Sequence, residues 1–140
     1  MAVPVLTPRA LNRALLARQL LLERSHLDAV DAVRHLVGLQ AQAPLAPYVG
    51  LWSRLRGFTP DDLAAPLKAR AVTRATLMRG TVHLVTAEDA LRLRPWTEPA
   101  IVRGFAGGFS ARLTTEQTEA VLGLGQELLA AAPRTRAELR

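Results

Sequence analysis

Apolar residues recur at helical spacing through the first half of the chain. Leu11, Leu15 and Leu16, with Leu20 behind them, follow Thr7-Pro8, and Arg9, Arg13 and Arg18 fall on other faces. A hydroxyl N-cap and a proline in the first turn, where its missing N–H costs nothing, predict an amphipathic helix of about three turns. Val30, Val33, Leu36 and Val37 form the stripe of a second helix, capped by Ser25 or Asp28. Pro44 or Pro47 opens a third that reaches Leu55 and is closed by Gly57. In it Val49, Trp52 and Leu55 are expected on the buried face, Tyr48 and Trp52 within stacking reach, and Arg54 and Arg56 projecting outward. Thr59-Pro60-Asp61-Asp62 repeats the cap-and-proline signature and starts a short fourth helix ending near Lys68.

The pattern then changes. Ala71 to Met78 and Val82 to Thr86 are rich in Val, Thr and Leu around Arg79-Gly80-Thr81, which reads as a β-hairpin that must pack on the helices to be stable. His83 alternates with Val82 and Leu84 and is expected on the side away from the core. Thr86-Ala87-Glu88-Asp89 begins another helix, which Pro95 should stop or kink. Phe105 and Phe109, among Gly104, Gly107 and Gly108, are expected as core or lid contacts. Those glycines do not open a helix after a strand, so a phosphate loop is excluded. A last long helix opens at Leu113-Thr114-Thr115-Glu116 and carries Val121, Leu122, Leu124, Leu128 and Leu129. After Pro133 a further capping box, Thr135 to Glu138, announces a helix just as the sequence stops, so this chain is expected to be the N-terminal piece of something longer. Three or four helices followed by a hairpin is the order of a winged-helix domain.

Charge adds a partner. Lys and Arg number 18 against 12 Asp and Glu, a net charge of +6, and every basic residue but Lys68 is arginine. Guanidinium forks suit phosphate, so nucleic acid is favoured over an acidic small molecule, although a GC-rich coding background also raises arginine. No apolar run approaches the roughly 18 residues of a membrane span, and the first residues lack a signal-peptide pattern. With no cysteine, and His26, His35 and His83 scattered, there is no metal-ligand pattern. A cytoplasmic protein without metal or cofactor is expected. His26 and His35 are read as solvated or hydrogen-bonded bystanders.

Candidate chemistry gathers at Gln40 and Gln42. Pro44 disfavours helix at Ala43, so a break is expected from Gln40 to Pro44. Side chains two apart diverge by about 200° on a helix but share a face on an extended segment. An extended triplet would therefore bring two carboxamides together, able to hold a water or meet a developing charge without carrying charge themselves. The competing reading is a pair of polar residues solvating a helix end.

The runs LVGLQAQAPLAPYVGLWSRLRGF and VTRATLMRGTVHLVTAEDALRLRP resemble the N-terminal part of winged helix DNA-binding domain-containing proteins of the AlkZ and YcaQ type. These are bacterial DNA glycosylases that excise alkylated bases and unhook interstrand crosslinks. The resemblance is specific at Gln40-Ala41-Gln42 and at Met78 to Leu84, and it runs from about Thr7 onward. It implies a mainly α fold with a small β-hairpin, the first part of a tandem winged-helix architecture. The expected division is a winged-helix-like domain with the catalytic triplet over residues 1–90, a helical linker over 91–133, and the start of a second, truncated unit over 134–140. The resemblance makes Gln40 and Gln42 the catalytic pair, in the Gln-Gln form of the crosslink-unhooking branch; Ala41 is smaller than the usual aliphatic residue. Candidate DNA contacts are Arg54, Arg56, Arg74, Arg79, Thr81 and His83. The implied partner is alkylated or crosslinked duplex DNA, the implied location the nucleoid, and the implied full-length form a monomer. The alternative is a non-enzymatic winged-helix regulator whose third helix lies in a groove while Arg79 touches phosphate from the wing.

Overall fold

The computed structural model describes residues 5–106, 113–135 and 137–139. The chain divides into two compact units, Met1–Ile101 and Val102–Arg140, with the division inside a helix.

In the first unit Thr7 caps α1 (Pro8–Arg18), its side chain accepting from the Ala10 N–H at 3.2 Å. No residue of α1 is buried, so its leucine stripe stays open. The helix is tied down through its last carbonyls instead. His35 Nε2 donates to Arg18 O and Arg54 Nε to Gln19 O, each at 2.9 Å, which satisfies two of the acceptors a helix C-terminus leaves without partners. Asp28 caps α2 (Ala29–His35), whose Ala29, Ala32 and Val33 are buried. The chain then turns into β1 (Leu39–Gln40) and α3 (Ala46–Trp52), and α4 (Asp61–Lys68) follows. Thr59 does not cap α4 as expected; the Asp62 carboxylate takes both the Thr59 N–H, at 2.7 Å, and its hydroxyl, at 2.9 Å.

Beyond the expected hairpin of β2 (Val72–Thr76) and β3 (Val82–Thr86) there is a third strand, β1, giving an antiparallel sheet in the order β1-β3-β2. Helix, strand, two helices and hairpin complete a winged-helix unit. A 3₁₀ turn at Met78–Gly80 joins β2 to β3, with Arg79 at φ 57° and Gly80 at φ 68°. Helix α2 packs on β3, α4 on α2 and β2, and α3 on β1, around Val33, Ala41, Leu51, Leu63, Val72 and Leu84. Central strand β3 is buried at four consecutive positions, His83 to Thr86, so the alternation expected for it fails.

Helix α3 turns a different face inward from the one its sequence suggested. Pro47 and Leu51 are buried, with Leu55 just beyond the helix, whereas Val49 is 63% and Trp52 55% exposed. Trp52 carries the Arg24 guanidinium 4.7 Å from its ring centroid, a cation–π contact, and it is Tyr48 that packs against the core.

Thr86 caps α5 (Ala87–Ala106), accepting from the Asp89 N–H at 3.0 Å and donating to its carboxylate at 2.7 Å. Pro95 does not stop this helix, and Pro99 also lies within it. Their spacing of four places both absent N–H groups on one stripe, and Thr97 Oγ1, between them, donates to Leu93 O at 3.1 Å. Arg94 grips both oxygens of Glu98 through Nε and Nη2, one edge of its guanidinium, which holds the Glu98 carboxyl below its ordinary range. Phe109, Gly107 and Gly108 lie outside the described residues, as does the Phe105 side chain.

In the second unit Thr114 and Gln117 form a reciprocal capping box for α6 (Thr115–Ala131). Val121, Leu122, Leu124 and Leu129 are exposed on it. The box at Thr135 also forms: the Glu138 carboxylate accepts from Thr135 N–H at 2.6 Å and from its hydroxyl at 2.8 Å.

Candidate active site

The triplet is extended, and its geometry follows from how β1 is held. Gly38, at φ +139°, brings the chain against β3; a Cβ there would stand 2.7 Å from Val85 Cγ1 and 3.0 Å from Leu84 O. Leu39 and Gln40 then pair with Leu84 and His83, and Ala41 N–H donates to Val82 O at 2.8 Å. Alternation along the strand turns Ala41 into the core, where it is fully buried, and leaves Gln40 and Gln42 exposed on either side of it. The two carboxamides meet: Gln40 Nε2 donates to Gln42 Oε1 at 2.8 Å. Gln40 Oε1 and Gln42 Nε2 remain, an acceptor and a donor presented outward by one hydrogen-bonded unit.

The other candidate residues separate into three groups. Arg74, expected as a DNA contact, donates from Nη2 to Ala41 O at 2.5 Å and so braces the triplet from the opposite edge strand. Arg79 is exposed at the hairpin turn, and Thr81 donates its hydroxyl to Met78 O at 3.2 Å inside that turn. Arg56 is exposed and uses Nε on Arg24 O at 2.9 Å, leaving its remaining donors outward. Two expectations are corrected. Arg54 does not project: besides Gln19 O, its guanidinium donates to Gly50 O at 2.9 Å and to Ser53 Oγ at 3.3 Å, and burial lowers its pKa. His83 does not face solvent; it is 5% exposed, with Nδ1 bonded to Thr81 O at 2.9 Å. Among the described residues no cluster of metal-ligating side chains occurs, and no helix is long and apolar enough to cross a membrane.

What the sequence reading missed was β1 itself, and with it the closeness of His83 and Arg74 to the triplet. The signal was present: Leu39-Gln40-Ala41-Gln42 alternates apolar and polar as a half-buried strand does.

A family model described as DNA glycosylase AlkZ-like matches residues 33–140, a span that contains the triplet, the hairpin and α6. The chain belongs to the AlkZ-like family. Its fold is shared with a solved structure, Streptomyces sahachiroi DNA glycosylase AlkZ, at a TM-score of 0.67 and 24% identity over 89% of this chain. That alignment takes in 34% of the Streptomyces chain. No curated protein matches.

Arg54, drawn inward, and Arg79, left exposed, separate two kinds of variant in this AlkZ-like unit. Arg54→Ala is expected to cost about 2–4 kcal/mol, because it strips charge-assisted bonds from partly buried carbonyls. Arg79→Ala, at an exposed turn position, should leave stability within about 0.5 kcal/mol. Chemical denaturation checks both.

Proposed function

We propose that the chain hydrolyses the N-glycosidic bond of alkylated purines in duplex DNA, with Gln40 and Gln42 as the catalytic pair. The observation that carries this reading is the 2.8 Å bond joining the two exposed carboxamides across a buried Ala41, within a family of DNA glycosylases. An N7- or N3-alkylated purine is already cationic. When its C1′–N9 bond breaks, the electron pair neutralises the base, so no strong acid is needed for the leaving group. The sugar passes through an oxocarbenium-like state. Amide oxygens stabilise that positive charge, and the donor and acceptor left on the pair orient the attacking water. A neutral pair gives little help with an undamaged nucleotide, whose base leaves poorly, and this confines the activity to activated lesions.

The exposure of the pair supports an extension to crosslinked substrates. A base bonded to the opposite strand resists full extrusion, and an exposed site lets the bond be reached without it. The net charge of +6, with Arg56 and Arg79 exposed, suits a duplex partner. The groove-reading alternative has less support. The third helix, α3, which that alternative would lay in a groove, carries no charged residue within Ala46–Trp52 to engage phosphate.

The test is single-turnover release of N7-methylguanine from methylated duplex DNA by the full-length protein. Release from the methylated duplex with none of guanine from an unmodified one is expected; no release from methylated or crosslinked duplex would sink the reading.

A further inference from the structure

Hydrolysis leaves one proton without a destination. As the water oxygen bonds to C1′, a water proton must depart, and neither carboxamide can keep it, because an amide oxygen accepts hydrogen bonds but is a very weak base. The residue paired with Gln40 has the required chemistry.

Gln40 and His83 are cross-strand partners on β1 and β3, so the antiparallel pleat puts both side chains on one face of the sheet, with Ala75 of β2 in the same row. Ala41 N–H donates to Val82 O, which makes that neighbouring pair a hydrogen-bonded one. By alternation Gln40 and His83 are the non-hydrogen-bonded pair, the kind whose side chains stand closest, with Cα atoms typically about 4.5 Å apart. The tautomer follows from the other ring nitrogen. A backbone carbonyl only accepts, so the 2.9 Å contact with Thr81 O puts the proton on Nδ1 and leaves a lone pair on Nε2 in the neutral ring. His83 is 5% exposed, yet no buried polar side-chain atom among the described residues lacks a partner, and no described group bonds to Nε2. The small exposed part of His83 therefore includes Nε2. Arg74 is held on Ala41 O and Arg79 lies in the turn between β2 and β3; no acidic side chain among the described residues bonds to the ring.

We infer that His83 is a third catalytic residue of the site, its Nε2 accepting the proton of the water that Gln40 and Gln42 orient. This rests on the glycosylase reading above. The water oxygen bonds to C1′, the C1′–N9 bond breaks with its electron pair going to the cationic purine, and the water proton passes to Nε2. The imidazolium then returns that proton to solvent. A merely structural His83 would need only the Nδ1 bond to Thr81.

Two isosteres separate the nitrogens. His83→Asn keeps a donor at the Nδ1 position and removes Nε2; His83→Gln places a carboxamide near Nε2, able to accept a hydrogen bond but not to hold a proton. In the full-length protein both are expected to slow single-turnover release by about 10²-fold or more, the usual range for general acid–base catalysis, with duplex affinity within about twofold of the parent. Release at the parental rate by either folded variant overturns the role of His83 and leaves the glycosylase reading standing. If neither melts cooperatively, His83→Ala with added imidazole replaces them, and failure of imidazole to restore release overturns the inference. A parent that releases no base overturns the underlying reading instead.

Discussion

Replacing Gly38 by alanine is expected to cost about 2–4 kcal/mol of stability and to remove base release along with it, the sum of backbone strain and overpacking. The backbone there has φ +139°, which side chains of L-residues rarely adopt, and the new methyl would meet Val85 Cγ1 at 2.7 Å and the Leu84 carbonyl at 3.0 Å. One of those obstacles is backbone of the central strand, so relief requires β1 to move away from β3. That movement breaks the pairing of Gln40 with His83 and lifts Ala41 from the core, undoing the two contacts that aim the carboxamides. Denaturant unfolding followed alongside base release should show both losses together. A variant of parental stability and activity would mean that the approach of Gly38 to β3 does not hold the triplet in place.

Gln40→Ala and Gln42→Ala are expected to behave in the opposite way, each slowing release by about 10²- to 10³-fold, the range seen when a single group aimed at the transition state is removed. Both side chains are exposed, so stability should stay within about 0.5 kcal/mol of the parent. Because the two amides form one hydrogen-bonded unit, the double variant should be scarcely worse than either single variant. Single-turnover kinetics of the three variants decide this, and multiplying losses would show that each amide acts on its own.

Much of this arrangement was legible because the chemistry that fixes it is local. Thr7, Asp28, Thr86 and Thr114 each cap the helix that follows them, through bonds spanning three residues. The break that lets Gln40 and Gln42 converge comes earlier than Pro44 suggests: α2 ends at His35, and the chain turns through Val37 at φ 60° and Gly38 at φ 139°. The misreadings arose where a distant partner decides. Strand β1 is two residues long and exists only because β3, much later in the chain, receives it. That same pairing makes β3 a central strand, and His83 goes inward where an edge strand would have shown it to solvent. Helical spacing opposite Val49, Trp52 and Leu55 turns Arg54 outward, but α3 ends at Trp52 and the carbonyl at the end of α1 draws the guanidinium in. Pro95 suggests a stop or a kink, and α5 continues past it with a second proline on the same stripe. Side-chain propensity describes a residue alone; these positions are set by what the rest of the fold leaves unsatisfied.

The most direct test of the central claim counts abasic sites in methylated duplex DNA treated with the full-length protein and with its Gln40→Ala/Gln42→Ala form, at protein concentrations where both bind the duplex equally. Abasic sites accumulating with the parent and not with the double variant are the predicted result. Equal accumulation with both would contradict the assignment of catalysis to the carboxamide pair, and none with either would mean that this AlkZ-like chain binds DNA without cleaving its glycosidic bonds.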